Sequence, residues 1–307
     1  MKEGFSPYYQ ELLVYVGQKE VYGQGAELIE KLLRVRGNSM QLHRLTNKYG
    51  EEVSAILAEE SPQQGSDRVY AMLDGGMVLT RERGWKEVKI GRVFTEGANV
   101  AESGTRNWIR HSEYAAHLGT HEDFEGKMSV LTDKYEGLGK ELVFINDGAK
   151  WIWNWVGAAY PRATQVLDYY HAKEHLSRFS RLYWTKETEH QDWLGANGEI
   201  LKTKGVRTLM DIIERLPKRT KTVEVERARL LRYCKNNQHR MDYPDYLRRG
   251  LLIGSGAIEA AHRTVSQKRL KLSGQRWTEQ GAQNVLNLRV LQLSGKWTGL
   301  QDMLRAA

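Results

Sequence analysis

Three carboxylates are placed where they could act together. Asp74 closes the apolar run "RVYAML", Asp147 closes "ELVFIN", each precedes a glycine, and Glu259 lies in "GSGAIEAAH". Carboxylates projecting from rigid edges into one cleft suit two-metal phosphoryl transfer, in which ions about 3.5–4 Å apart activate water and stabilise a leaving oxygen. Bare acids that close would repel by about 4 kcal/mol at an effective dielectric of 20. A cation removes that cost, and oxygen-only ligands select hard ions, Mg²⁺ or Mn²⁺, over zinc or copper. Each acid also has an ordinary reading. Asp-Gly is a common hairpin signal. Glu259 could pair with Arg263 one helical turn on, whereas a capping box with Ser255 fails by one residue, because the required position is Ile258. The small apolar neighbours Ala257, Ile258, Ala260 and Ala261 predict a Glu259 carboxylate drawn towards the interior.

Other motifs compete. His171, Glu174 and His175 spell HxxEH, which on a helix puts both imidazoles on one face and resembles the signature of inverted zincins. A zinc peptidase needs a third protein ligand, and the ordinary alternative is a pair of histidines that pack or contact phosphate near the cleft. Asp168 is an auxiliary carboxylate or, more simply, the start of a helix. "GSGAIE" approaches the dinucleotide-binding GxGxxG, but its sixth residue is Glu259 and no βαβ unit follows, so its glycines read as a tight turn before a helix. Trp151, Trp153 and Trp155 read as core. Trp277 is a base-stacking candidate, because Lys268, Arg269, Lys271 and Arg276 precede it, although core packing is the favoured role. With Arg263, these cations are expected to neutralise phosphates in a salt-dependent manner.

The elements that must position these residues follow from periodicity. Pro7 to about Leu57 is helical, with Gly37 ending one helix and Asn38 or Ser39 capping the next; as a helix-turn-helix it would present His43, Arg44, Asn47 and Lys48 to DNA. "ESPQQGS" reads as a linker. "RVYAMLDGG" reads as a buried strand ending at Asp74, "WKEVKIGRVF" as its half-buried neighbour, Ser112 to about Tyr135 as a helix, "ELVFIND" as another buried strand, and "ATQVLDYYHA" as a strand running into a helix. Residues 182–249 are basic and helical in pattern, interrupted by "GANGE", Gly205, Pro217 and Pro244. The last stretch starts a helix after a glycine turn and bends at "SG" into "QGAQNVLNLRVLQL".

Composition sets the class. The 307 residues carry a formal charge of +8, which attracts polyanions. The single cysteine, Cys234, excludes an internal disulfide and a thiolate zinc cluster. Without an apolar run of membrane length or a signal-peptide pattern, the protein is expected to be soluble and cytoplasmic, with no membrane partner.

"LDGGMVLTRERGWKEVKIGRVF", "FINDGAKWIWN", "LDYYHAKEHL" and "GSGAIEAAHRTVSQKRLKLSGQRW" together resemble the successive blocks of DDE transposases of bacterial insertion sequences, specifically the ISKra-type family, from about Ser6 to about Trp297. The resemblance implies an α/β, RNase H-like mixed sheet with flanking helices, interrupted by a helical insertion. It also implies Asp74, Asp147 and Glu259 as catalytic, metal-binding residues holding two Mg²⁺ (or Mn²⁺) ions, and double-stranded DNA, at element ends and target, as the partner of a homo-oligomer. The expected organisation is an N-terminal helical region at 1–62, the catalytic domain in two parts at 66–181 and 251–307, and the insertion at 182–250. The expected chemistry is nicking at element ends followed by attack of the freed 3′-hydroxyl on target DNA. Family members carry further N-terminal sequence, so incomplete end recognition is expected of this chain. An RNase H-like nuclease or resolvase, an inactive DNA-binding remnant and a zinc peptidase stay open as alternatives.

Overall fold

The computed structural model describes residues 4–58, 66–101 and 107–306; most of the expected linker, residues 59–65, lies outside them. The chain is mixed α/β, and its contacts divide it into two compact units, Met1–Leu142 with Ala257–Ala307, and Val143–Gly256. Five strands form a mixed sheet, antiparallel across β5, β2 and β1 and parallel across β6 and β7.

The first unit opens with α1 (Pro7–Gly17), α2 (Tyr22–Leu33), α3 (Ser39–Glu52) and α4 (Ser54–Leu57). The strands β1 (Arg68–Thr80), β2 (Gly84–Thr95), β3 (Asn99–Ala101), β4 (Asn107–Ile109) and β5 (Glu113–Leu118) follow, then α5 (His121–Gly137) and the first residues of β6 (Glu141–Asn146). The second unit continues β6 and adds α6 (Lys150–Ala159), β7 (Thr164–Leu167), α7 (Tyr169–Tyr183), α8 (Glu187–Arg215), α9 (Lys221–Asn237) and α10 (Tyr243–Arg248). The chain returns to the first unit through α11 (Gly256–Ala261), a π-helical turn (His262–Gln267), α12 (Lys268–Leu270), α13 (Glu279–Leu293) and α14 (Trp297–Ala306).

Helix boundaries have local causes. Ser6 caps α1 by accepting the Tyr9 N–H ahead of Pro7. The Asn38 side chain caps α3, accepting from Met40 and Gln41, as the sequence suggests. α2 stops before Gly37, where Arg34 turns left-handed at φ 56°. Gly37 instead serves close packing: a Cβ there would stand 2.0 Å from the Ala26 carbonyl oxygen. Leu13, Val14, Ile29, Leu42 and Leu45 of α1–α3 share one core with Leu288 and Leu291 of α13 and Leu300 and Leu304 of α14. The N-terminal helices thus belong to the first unit, where their apolar stripes find partners in the chain's last helices.

Two sheet expectations need correction. β1 does not end at Asp74; it runs through both glycines to Thr80, with Asp74 opposite Ile90 and Gly76 opposite Val88 on β2. The continuous apolar run ends there because burial starts to alternate, while the backbone ladder continues. The stretch from Ser112 is not helical at first: β5 pairs Ala115 with Gly91 and Ala116 with Ile90, and only then does Thr120 cap α5. Strong helix formers in "EYAAHL" yield to the sheet because small side chains fit against β2 and because Glu113 is anchored by Lys134, whose Nζ donates to both carboxylate oxygens at 2.7 and 2.6 Å.

In the second unit α8 runs through "GANGE" and breaks only at Gly205, at φ 84° and ψ 171°. α8, α9 and α10, the expected insertion, share this unit with β6, β7, α6 and α7. The Tyr243 hydroxyl donates to the Leu167 carbonyl and that of Tyr246 to the Gln165 carbonyl, tying the α10 segment to β7. No helix among the described residues is long and apolar enough to cross a membrane.

Candidate functional site

In the first unit Asp74 and Gly76 lie two residues apart on β1 and therefore on one face of the strand. The imidazole of His262 lies over both. Its Nε2 stands 3.3 Å from Asp74 Oδ2 with the histidine side chain 7% exposed, within ion-pair reach but without hydrogen-bond alignment. A Cβ on Gly76 would come 3.0 Å from His262 Cε1 and Nδ1, so the second glycine of "LDGG" is the gap that admits this ring. Asp74 Oδ1 accepts the Gly75 N–H at 2.7 Å.

Glu259 precedes His262 by three residues, close to one helical turn, on the segment that delivers the ring to Asp74. Its carboxylate is exposed, contrary to the expectation of an inward one. The helical period decides this: Ile258 and Ala261 turn inward and Glu259 and Ala260 outward, whatever the local composition. Among the described residues it makes no ion pair with Arg263 or any other cation.

Two buried arginines hold this segment. Arg289 of α13 donates through Nε to the Val265 carbonyl at 2.7 Å, through Nη2 to that of Thr264 and through Nη1 to that of Gln18 at 3.0 Å. Burial, and secondarily Arg269, lowers its pKa to about 10. These bonds tie the Thr264 and Val265 carbonyls of the π-turn, and that of Gln18, to α13, and π-turns recur at functional sites. Arg269 is 1% exposed, donates to the Gly17 carbonyl at 3.2 Å and lies over the rings of Tyr22 and Trp277, at 4.9 and 4.6 Å. Trp277 is buried and donates from Nε1 to the Leu270 carbonyl. Arg269, expected to contact phosphate, and Trp277, for which core packing is the favoured role, are both interior. The other cations stand outside: Arg263, Lys268, Lys271, Arg276 and Arg44 are exposed, Arg44 donating to Gln41, while Lys48 is half-buried over the Tyr49 ring.

In the second unit Asp147 lies in the turn between β6 and α6, as its Asp-Gly predicts. Its Oδ1 accepts the Ala149 N–H at 3.0 Å, its backbone carbonyl accepts from Trp153 Nε1 at 2.8 Å, and among the described residues Oδ2 has no partner. Trp153 and Trp155 are core, as expected. Asp168 starts α7: Oδ1 accepts the Tyr170 N–H, Oδ2 accepts the Ser255 hydroxyl at 2.6 Å, and its own N–H donates to the Asn146 carbonyl. Buried and engaged on both oxygens, it acts as the structural helix start.

The HxxEH histidines share a face of α7, as expected, but face each other and a tyrosine. Their ring centroids are 5.1 Å apart, and His175 stacks on Tyr233 at 3.9 Å and 22°. Burial, with the cations of His171, Arg178 and Arg229, lowers the His175 pKa from 6.5 to about 4. A histidine held neutral contributes stability that is present above the unfolded pKa near 6.5 and is lost as pH falls from there towards 4. Wild-type urea midpoints should therefore fall more steeply than those of His175→Asn between pH 6.5 and 4.5; parallel profiles would show that this ring does not titrate abnormally. Burial chiefly, with Cys234 and Asp147 adding to it, pushes the Tyr233 hydroxyl pKa up, and that hydroxyl has no hydrogen-bond partner among the described residues.

Hard oxygen donors at Asp74, Asp147 and Glu259 fit the donor chemistry of Mg²⁺ or Mn²⁺. Among the described residues, no three or more His, Cys, Asp or Glu side chains are grouped so as to hold a metal ion. His262 was not among the expected site residues; its signal in the sequence is its place one turn after Glu259 in "EAAH", combined with the second glycine after Asp74. No protein-family model and no curated protein matches this chain.

Proposed function

We propose that the chain is a DDE-type transposase that cleaves DNA at element ends and joins the freed 3′-hydroxyl to target DNA, as its resemblance to the ISKra-type family implies. The observation that carries this reading is the contact of His262 with Asp74. It connects two acids distant in sequence within one unit: the segment bearing Glu259 is anchored, one turn on, to the strand position of Asp74. Asp147, after β6 and with one carboxylate oxygen unengaged among the described residues, is the third acid.

In this reading Asp74, Asp147 and Glu259 hold Mg²⁺ or Mn²⁺, which when bound activates water and stabilises the leaving oxygen. The protein's own groups do the positioning. His262 restrains Asp74 Oδ2, Gly76 leaves room for that ring, and Arg289 fixes the π-turn from which it projects. Exposed Arg263, Lys268, Lys271 and Arg276 contact phosphates, and a homo-oligomer assembles on the double-stranded DNA. Asp168, His171 and His175 support the second unit without touching the reacting atoms.

The test is incubation of the protein with labelled element-end DNA and Mg²⁺ or Mn²⁺ beside Glu259→Gln. Wild type should cut and join, and the variant should cut at least about a hundredfold more slowly, a loss of ~2.7 kcal/mol in barrier lowering. Equal cutting by both would remove Glu259 from the mechanism. Cutting without strand transfer would identify a nuclease or resolvase, and DNA binding without any cutting by the wild type would identify a non-catalytic remnant.

A further inference from the structure

The first unit contains a cavity of about 300 Å³ that the carboxylate chemistry does not use. One wall is Tyr22 of α2 and His43 of α3; the other is the turn that carries Arg276 and Trp277, together with Arg81 from beyond the end of β1. Among the described residues, three arginines and a histidine line it and no acidic side chain does. The charges differ in their freedom. Arg269 is committed beneath the surface, between Tyr22 and Trp277. Arg81 spends Nε on the Arg276 carbonyl at 3.2 Å, and among the described residues its two terminal nitrogens have no partner. Arg276 is exposed, and among the described residues its guanidinium has no ion pair or hydrogen bond.

Two open guanidinium forks select a phosphate, which they can grip with paired, charge-assisted hydrogen bonds. A bare phosphate would leave the ring-bearing part of the wall unused, whereas aromatic surfaces accept a base of any sequence. The volume lies at the small end of ligand sites and admits one nucleotide, not a duplex. From this combination we propose that the cavity binds a nucleoside monophosphate unit, with Arg81 and Arg276 on the phosphate and Tyr22 and His43 beside the base. The proposal deepens the DNA reading above and rests on it only for the source of the nucleotide: a base extruded from DNA, or a free nucleotide.

Calorimetric titration of the full chain with deoxyadenosine 5′-monophosphate, deoxyadenosine and inorganic phosphate tests it. The nucleotide should bind at least about tenfold more tightly than either part alone, and Arg276→Ala and Arg81→Ala should each weaken it by about tenfold, the scale of a hydrogen bond to a charged group. Arg305→Ala, far along the chain on α14, should leave it unchanged. Phosphate binding as tightly as the nucleotide, no nucleotide binding, or binding indifferent to both arginine substitutions would each overturn the site. In a second arm, duplexes carrying 2-aminopurine opposite a mismatch report extrusion. Brightening that is lost in Arg276→Ala assigns the site to a DNA base; unchanged fluorescence beside intact monophosphate binding assigns it to a free nucleotide. Failure of wild-type cleavage would sink the transposase reading and leave these titrations to judge the cavity separately.

Discussion

Asp74→Asn is expected to lower Mg²⁺-dependent DNA cleavage about a thousandfold, equivalent to ~4 kcal/mol of transition-state stabilisation, while the protein stays folded. The substitution keeps the size of the side chain and its place opposite Ile90, so the β1–β2 ladder survives. It removes the negative charge and one oxygen donor of the acid that His262 faces. His262→Ala should act through Asp74 and cost less, about 10- to 100-fold, the range for groups that orient a metal ligand. The two variants separate by their response to the ion. A positioning role predicts that His262→Ala raises the half-saturating Mg²⁺ concentration and is partly rescued at high Mg²⁺, whereas Asp74→Asn is not rescued. Cleavage by Asp74→Asn at the wild-type rate would remove this site from the reaction.

Lys134→Met is expected to destabilise the protein by ~3–5 kcal/mol, read as a lower urea midpoint, because it strands the Glu113 carboxylate in the interior. The side chains of Lys134 and Glu113 are 2% and 4% exposed, and the carboxylate also accepts the Tyr135 hydroxyl, at 3.2 Å. Glu113 opens β5, so the loss should appear as weakened pairing of this edge strand with β2, visible as faster amide exchange at residues 113–118. The double variant Glu113→Leu/Lys134→Met should recover most of the loss, since replacing both partners of a buried pair with apolar groups is often neutral or stabilising. A single variant as stable as wild type would mean that water reaches Glu113 and compensates it.

Local order was legible where its cause lies within a few residues. Asn38 capping α3, the strand ending beside Asp147, Asp168 starting α7 and the glycine turn before α11 all follow from caps, short apolar runs and turn residues. The same signals misled where a distant partner outweighed them. "LDGG" has the composition of a turn, yet β2 continues the ladder and His262 needs the space. "EYAAHL" favours a helix, yet β2 and Lys134 make it a strand.

The roles of the charged residues divide along the same line. A count of cations and acids could mark Arg269 and Glu259 as functional, but it could not tell an interior hydrogen-bond donor from a surface group. Arg269 is inside because the Gly17 carbonyl, 252 residues away in sequence, accepts from it. Glu259 is outside because the turn of its helix buries Ile258 and Ala261 instead. Caps and turns are written by neighbours along the chain, whereas strand pairing and the burial or pairing of a polar group depend on which remote segment reaches it, and residue order alone does not encode that in any local pattern.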